Sequence, residues 1–332
     1  MDERPLAVGS LGQVHRARTR EGEDVAVKVQ HPGVAEAIER DLRGIGIVAP
    51  LLRRLAPGLD AGAALAEVRE RISEELDYEL AAQHQRRIGR ICRGHPHVRV
   101  ARVLTELSSR RMLVTEYVDA ARTEDIAQRD EDQRDRVGEI TLRFFLGLVH
   151  RHGIVAGDPA ADNLLLDRDG RVAVVDFGLV RDIDADYLAA ERGLMAAVAR
   201  RDADALHAGL SALGYLPEPA QFDGADLLEQ LYTAGEWLLA PGVRRLSAED
   251  VRRTLELGYP PRSPWFSQMR RQRPAAATLV LRRMEAVLLR TLGQLGAAAD
   301  WGAIAAEYWA GTPPSTLLGR EEAGFLARRR GG

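Results

Sequence analysis

The chain has 332 residues, of which 45% are hydrophobic and 29% charged, with a net charge of −3. These proportions fit an ordinary globular protein, either one bilobal domain or two small ones. The near-neutral charge gives no electrostatic basis for binding nucleic acid, and a single cysteine excludes an internal disulfide. No signal peptide opens the sequence, and no uncharged apolar run could cross a membrane, so we expect a cytoplasmic protein.

Lysine is used once in this chain. Lys28 is the one lysine among 46 basic residues, and the others are arginines. An ammonium is a compact point charge on a slim stem, whereas a guanidinium is a broad planar fork. The exception therefore singles out Lys28 as a position that requires an ammonium.

The first third of the chain is predicted to be β-rich, with an inserted helical block. Strands are predicted at residues 14–18, 25–29, 98–104 and 112–118. Between them, helices are predicted at residues 34–55 and 63–91, the second from a stripe of apolar residues at three- and four-residue steps. We therefore expect a small N-terminal lobe over residues 1–118 and a large helical lobe over residues 119–332.

The second part of the chain is helical apart from one hairpin. Residues 133–152 carry one apolar face, and Gly153 is typical of a helix C-terminal stop. Two apolar runs, 164–166 and 172–175, flank a polar segment that ends in Asp169-Gly170. An Asp-Gly turn between such runs predicts a β-hairpin.

A segment rich in small residues opens the chain. Residues 7–14 read Ala-Val-Gly-Ser-Leu-Gly-Gln-Val, close to the G-x-G-x-x-G-x-V loop that covers nucleotide phosphates in kinases. Small residues let backbone N–H groups approach a phosphate closely, although the segment alone also fits a plain hairpin turn. The candidate nucleotide-binding residues here are Ala7, Gly9, Ser10, Gly12 and Val14.

Lys28 ends the string Val25-Ala26-Val27-Lys28, sixteen residues after Gly12. This string looks like the kinase strand whose lysine pairs with the α- and β-phosphates. Later in the chain, Glu116 and Val118 end the strand that leads into the second lobe, and they are further candidate nucleotide contacts.

Two acidic motifs follow in the second part of the chain. Asp158 and Asn163 have the D-x-x-x-x-N spacing of the kinase catalytic loop, in which the aspartate orients the attacking hydroxyl or water. Asp176 begins Asp-Phe-Gly at the end of the predicted hairpin, and it would bind magnesium together with Asn163. The four motifs, in this order, predict an α+β, bilobal protein-kinase-like fold with Lys28 and Asp158 as catalytic residues.

Four longer strings resemble one particular group of kinase-like proteins. They are residues 10–17, 27–34, 74–80 and 111–118. They are similar to the UbiB-type (activity-of-bc-one) atypical kinases, which are linked to ubiquinone biosynthesis. The resemblance implies ATP or ADP and Mg²⁺ as cofactors, a role in prenyl-quinone or isoprenoid lipid metabolism, and a peripheral position at the inner face of a membrane. The implied partners are a lipid or membrane surface and proteins of the quinone pathway. Its E-x-D motif falls on Glu75 and Asp77, which the resemblance places near the nucleotide.

The sequence departs from the family pattern at positions that matter for activity. Both histidines of the family's catalytic loop are missing around Asp158, and the glutamate expected at the end of the E-L-D-Y string is Ala81. Glu75 or Asp77 could take the place of that glutamate beside Lys28, and a Lys28 left unpaired could be mobile or have a lowered pKa. Three hypotheses therefore stay open: an active atypical kinase or ATPase, a nucleotide-binding pseudokinase scaffold, and a non-catalytic lipid-binding assembly protein.

Overall fold

The computed structural model describes residues 1–45, 73–258 and 262–330. These residues form two compact units. The first unit comprises residues 1–45, 73–122 and 162–180, and the second comprises residues 123–161, 181–258 and 262–330. The described part is mixed, with sheets in the first unit and a mostly helical second unit, which confirms the predicted α+β class.

The strands and helices have the following bounds. The strands are β1 (Ala7–Val8), β2 (Gly12–Arg18), β3 (Asp24–Gln30), β4 (Val98–Val100), β5 (Met112–Glu116), β6 (Ala120–Arg122), β7 (Ile154–Ala156), β8 (Leu164–Asp167), β9 (Val172–Val174), β10 (Val180–Asp182), β11 (Arg244–Arg245) and β12 (Ala298–Ala299). The helices are α1 (Val34–Ile45), α2 (Tyr78–Ile91), α3 (Thr123–Ile126), α4 (Glu131–His152), α5 (Ala185–Ala199), α6 (Ala203–Ala212), α7 (Gly224–Leu239), α8 (Ala248–Gly258), α9 (Phe266–Met269), α10 (Ala276–Leu295), α11 (Trp301–Trp309) and α12 (Leu317–Arg330).

The first sheet of the first unit has the order β1-β2-β3-β5 and is antiparallel. Because side chains alternate along a strand, Val25 and Val27 of β3 lie on one face, where they are buried with Val114. Lys28 lies on the opposite face, next in register to Leu113 of β5. Leu113 packs against Tyr78 of α2, so α2 covers the face of the sheet that carries Lys28.

The second sheet of the first unit has the order β4-β9-β8-β6. Its centre is the predicted hairpin of β8 and β9, whose turn places Gly170 at φ 76°, a backbone angle that favours glycine. The division at residue 118 stays a prediction, but this hairpin belongs to the first compact unit, because its strands pair with β4 and β6.

Two predicted elements differ from the structure. The strand expected at 98–104 ends at Val100, and a 3-10 turn, Thr105–Leu107, follows. The single helix expected at 63–91 is interrupted in its described part, because residues 73–75 are helical, residues 76 and 77 are not, and α2 begins at Tyr78. Asp77 has extended backbone angles there, and its side chain accepts hydrogen bonds from the N–H groups of Glu79 and Leu80, as a helix N-cap does. Residues 46–72 of the two expected helices lie outside the described residues.

The second unit is built around α4, which is buried along most of its length. Gly153 ends this helix in the left-handed conformation (φ 63°), which confirms the predicted stop. The helices α10 and α11 pack on α4, and the short strands β11 and β12 pair with each other. Within the described ranges, every helix is too short or too polar to cross a membrane.

Candidate functional site

The loop between β1 and β2 is a tight, exposed turn at the edge of the first sheet. The N–H of Gly9 donates to the carbonyl of Gly12 at 2.8 Å, which closes the turn. His31, just after β3, holds the turn from outside. Its Nε2 lies 3.0 Å from the carbonyl oxygen of Gly9, and its backbone N–H donates to Leu11 at 3.0 Å. The loop is therefore anchored to the strand that carries Lys28.

The two glycines of this loop face different surroundings. A Cβ added to Gly12 would lie 2.1 Å from the carbonyl oxygen of Val29 and 2.9 Å from the hydroxyl of Tyr78, so no side chain fits there. A Cβ added to Gly9 would meet nothing closer than the carbonyl oxygen of Gly12, at 3.7 Å. Packing requires a glycine at position 12, whereas the protein's own packing leaves room for a side chain at position 9.

Lys28 is paired with Asp176, 148 residues later in the chain. The distance between Lys28 Nζ and Asp176 Oδ2 is 2.7 Å, and each side chain is 29% exposed. The other oxygen of Asp176 accepts the backbone N–H of Gly178 at 2.8 Å. An unpaired, mobile Lys28 was therefore the wrong expectation, because the aspartate of Asp-Phe-Gly takes the place of the missing glutamate.

Electrostatics at Lys28 also differ from the expectation of a lowered pKa. Burial pushes the pKa of Lys28 down, because it disfavours the charged form. The nearby carboxylate of Asp176 outweighs burial, with smaller contributions from Tyr78 and Glu75, and the pKa of Lys28 is raised above its usual value. Lys28 is thus a permanently charged ammonium near neutral pH.

Asn163 and Asp176 are brought close by the hairpin. Asn163 ends a 3-10 turn, Ala161–Asn163, just before β8, and its carbonyl accepts the N–H of Val175 at 3.1 Å. Val175 is the neighbour of Asp176 in the chain, so the amide and the carboxylate start from adjacent backbone positions. Oxygen ligands from one carboxylate and one amide fit Mg²⁺, which usually completes its shell with water and phosphate oxygens.

The acids of the E-x-D motif have different surroundings. Asp77 is used in structure, since one oxygen caps α2 and the other lies 3.5 Å from Nε of Arg110. Glu75 contributes to the raised pKa of Lys28, so it acts on the ammonium electrostatically. Of the two, Glu75 is the one that the structure connects with the lysine.

Tyr78 was absent from the predicted site residues. Its ring lies beside Lys28, with 5.3 Å between Nζ and the ring centroid, and the residue is 1% exposed. Burial raises the pKa of its hydroxyl. Tyr78 is the last residue of the E-L-D-Y string, so the string pointed to this segment of the chain. It could not show that the tyrosine contacts Lys28.

At and just after the end of β5, the side chains of the candidate nucleotide contacts Glu116 and Val118 are engaged within the protein. Val118 is 6% exposed and packs with Ala101 and Ala173, and the carboxylate of Glu116 accepts hydrogen bonds from Arg99. The side chains of the two predicted contacts are therefore committed to the protein. Any role of Glu116 and Val118 toward a nucleotide would fall to their backbone groups.

Asp158 lies in the second unit, in the loop after β7. The hydroxyl of Thr291, on α10, donates to the carbonyl of Pro159 at 2.7 Å, which fixes this loop to the helix. Arg283 of the same helix reaches toward Asp158, with 3.9 Å between Nη2 and Oδ1, and both side chains are about half exposed. Spacing within α10 carries no information about this loop, so the sequence alone could not reveal the contact.

Comparison with known proteins identifies the family. The ABC1 atypical kinase-like domain matches residues 1–209, which is more than half of the chain. The chain belongs to the ABC1 atypical kinase-like family. This confirms the resemblance to UbiB-type proteins and the kinase-like fold that the motifs predicted.

Several curated proteins of this ABC1 family are similar to the chain. The mitochondrial atypical kinase COQ8B of Danio rerio is 30% identical over 183 residues, which is 55% of this chain and 29% of that protein. The AarF domain-containing protein kinase 1 of Xenopus tropicalis is 28% identical over 207 residues, 59% of this chain and 40% of that protein. The chain thus spans less than half the length of these curated relatives.

A solved structure of a similar protein covers more of the chain. It is the complex of Rv3197 with erythromycin from Mycobacterium tuberculosis, with a TM-score of 0.72 and 26% sequence identity. The match covers 92% of this chain and 76% of that one. The fold of this ABC1-family chain therefore has a counterpart over nearly its whole length.

Proposed function

We propose that this chain binds Mg²⁺ with ATP or ADP and acts as an atypical kinase or ATPase. The observation that supports it most is the 2.7 Å pair between Lys28 Nζ and Asp176 Oδ2. In kinases the corresponding lysine holds the α- and β-phosphates, and the aspartate holds a magnesium ion on the β- and γ-phosphates. Such a pair gathers the phosphate-binding and the metal-binding groups at one place.

The other residues have roles in this proposal that follow from their surroundings or motifs. Gly9 and Ser10 lie in the exposed turn, where their backbone N–H groups would approach the phosphates. Asn163 would share the metal ion with Asp176. A bound magnesium ion would neutralise the negative charge that develops on the phosphate oxygens in the transition state. Asp158 would orient the attacking hydroxyl or water, a role that rests on its motif spacing.

Phosphate release tests the enzymatic part. Purified protein with ATP and magnesium should release phosphate, and Asp176→Asn should abolish the release, because an amide cannot bind the metal ion as a carboxylate does. Equal rates in the wild type and the variant would contradict the proposal. Thermal stabilisation by nucleotide, with and without magnesium, tests binding separately, and Lys28→Met should remove it.

A pseudokinase scaffold is the second candidate, and one observation favours it. Both carboxylate oxygens of Asp176 are engaged, one by Lys28 and one by the N–H of Gly178. If this arrangement persists when nucleotide binds, the metal ion lacks its ligand, and the nucleotide is held without turnover. Stabilisation by ADP and ATP together with no phosphate release would favour this candidate.

We also propose that the chain acts in, or regulates, prenyl-quinone or isoprenoid lipid metabolism. Support comes from its ABC1 family, from the resemblance to UbiB-type proteins, and from an Arabidopsis thaliana relative whose name refers to the activity of the bc1 complex. Helix α10 carries three arginines: Arg283 and Arg290 are exposed, whereas Arg282 pairs with Glu191 and Glu285, so only the first two could face anionic lipid. Flotation with anionic vesicles, with and without nucleotide, measures this contact and separates it from the lipid-binding assembly hypothesis.

A further inference from the structure

The position where the E-L-D-Y string of the resembled family ends in a glutamate, the first candidate partner for Lys28, is apolar in this chain. Ala81 is 6% exposed and packs with Val103 and Leu113 under the first sheet. Asp176 holds Lys28 instead, but the proposed function asks the same carboxylate to bind magnesium. One carboxylate oxygen cannot serve both cations fully, so Lys28 needs another holder when the metal ion arrives.

Tyr78 is the residue that the geometry offers. It begins α2, directly over the strand face that carries Lys28, and its ring centroid lies 5.3 Å from Nζ. An ammonium within about 6 Å of an aromatic ring is attracted by the negative face of the ring. Tyr78 is 1% exposed, so its ring is held inside the protein beside the partly exposed ammonium.

The hydroxyl of Tyr78 adds a second observation. It is buried, and no described residue forms a hydrogen bond with it. It lies close to Gly12, where an added Cβ would be only 2.9 Å away, so its place beside the turn between β1 and β2 is fixed. A buried hydroxyl without a partner is costly, and such groups need a reason to persist. An ammonium has three donors, and one of those on Lys28 is used on Asp176.

We propose that Tyr78 holds the ammonium of Lys28, through its ring face and its hydroxyl, when Asp176 turns to the metal ion. Tyr78 thereby acts as a positioning residue, in place of the helix glutamate that protein kinases use. This proposal rests on the proposed function, since it assumes that Asp176 is a magnesium ligand. Lys28 would move between two fixed partners and would remain aimed at the phosphates in both states.

The single lysine makes the proposal directly measurable. Protein grown with ¹³C-labelled lysine, in a tag without lysine, gives NMR signals from Lys28 alone. A nearby aromatic ring shifts the Lys28 ε-CH₂ protons upfield, and the ring protons of Tyr78 give nuclear Overhauser contacts to them. Both readouts report where Lys28 lies, need no nucleotide, and do not depend on enzymatic activity.

The decisive comparison removes Asp176. In Asp176→Ala we expect Lys28 to keep its upfield shift and its Overhauser contacts, because Tyr78 still holds it. In the double variant Asp176→Ala/Tyr78→Leu we expect a random-coil shift and narrow lines. If Lys28 in Asp176→Ala alone already has the shift and line width of a free lysine, the proposal is wrong. Tyr232→Phe, at a tyrosine that stacks on Arg201, is the matched control and should leave the signals unchanged.

The variant Tyr78→Phe keeps the ring and its volume, so it protects the test against a failure of Tyr78→Leu to fold. We expect it to weaken Mg²⁺–ADP binding by about 2- to 10-fold, the usual size of one lost hydrogen bond, without lowering thermal stability. Unchanged affinity would overturn the role of the hydroxyl. If the wild type binds no nucleotide while the lysine signals behave as expected, the proposed function fails and the position of Tyr78 over Lys28 stands.

Discussion

The two units of the molecule each contain a cluster around one basic side chain, and the clusters differ in how fully their polar atoms are used. In the second unit, Arg143 is 4% exposed and donates to Glu139 at 2.6 Å and to Glu307 at 2.7 and 2.9 Å. A further bond reaches the hydroxyl of Thr316 at 2.9 Å. This cluster is buried, every nitrogen of its guanidinium donates a hydrogen bond, and it connects α4 with the C-terminal helices.

The cluster around Lys28 in the first unit is open by comparison. Lys28 and Asp176 are each 29% exposed, and beside them lies the buried hydroxyl of Tyr78, to which no described residue hydrogen-bonds. A saturated ionic cluster stabilises structure, whereas spare donors and acceptors at a half-open position are available for a ligand. The comparison therefore predicts that a substitution at Arg143 lowers stability and leaves nucleotide binding intact, whereas a substitution at Lys28 does the reverse.

The largest expected effect on stability is that of Arg143→Met. The change leaves the carboxylates of Glu139 and Glu307 buried without their cation, which typically costs about 3–5 kcal/mol. The free energy of unfolding in urea should fall by this amount, while nucleotide binding to the folded protein should be retained.

An exposed arginine provides the control for that experiment. Arg252 pairs with Glu249 and Glu256 on the surface of α8, and Arg252→Met should cause no measurable change in the urea midpoint. Similar losses for both variants would show that the cluster around Arg143 is no more important than a surface ion pair.

Acid should destabilise the second unit through His150. Burial, with the positive charges of Arg192, Arg151 and Arg282, lowers the pKa of His150 from 6.5 to about 4. Between these two pH values His150 takes up a proton in the unfolded chain but stays neutral in the folded chain. The free energy of unfolding therefore decreases as the pH falls from about 6.5 to 4. The loss from this group is on the order of 3 kcal/mol at the lower end of this range.

Urea titrations at pH 7, 5.5 and 4.5 measure this effect. His150→Gln cannot take a proton and should lose less stability between pH 7 and 4.5 than the wild type does. His207→Gln, at a histidine on the surface of α6, should keep the wild-type acid dependence. Parallel pH profiles for the wild type and His150→Gln would show that His150 is not the group responsible.

What the sequence could predict was local. The Asp-Gly turn of the hairpin and the stop at Gly153 follow from backbone preferences of a few residues, and both are present. The break before α2 was missed, because the apolar stripe was taken to continue through it. Asp77, a residue type that favours the N-cap of a helix, was the local signal of the break. The contact of Lys28 with Asp176 spans 148 residues, and no local pattern contains it. The place of Tyr78 depends on how α2 packs on the sheet, which is a tertiary property.

The turn between β1 and β2 allows a smaller and more selective test. In Gly12→Ala the new Cβ would lie 2.1 Å from the carbonyl oxygen of Val29, so the strands must shift, at a cost of about 1–3 kcal/mol. Gly9→Ala meets only ordinary contact, at 3.7 Å, and should leave the unfolding free energy unchanged. Its effect, if the exposed turn binds phosphate, is on nucleotide affinity alone. Equal stability of the two variants would contradict the packing argument.

Lys28 should affect stability much less than Arg143 does, although the proposed function depends on it most. In Lys28→Met the carboxylate of Asp176 loses its cation, but it keeps the N–H of Gly178 and gains water, because it is 29% exposed. The unfolding free energy should therefore change by less than about 1 kcal/mol. Stabilisation by Mg²⁺–ADP should disappear in the same variant, since methionine offers no positive charge to the phosphates. Urea unfolding and calorimetric titration on one preparation measure both quantities. A loss of stability as large as that of Arg143→Met would mean that Lys28 is a structural cation too, and that the two clusters do not differ in kind.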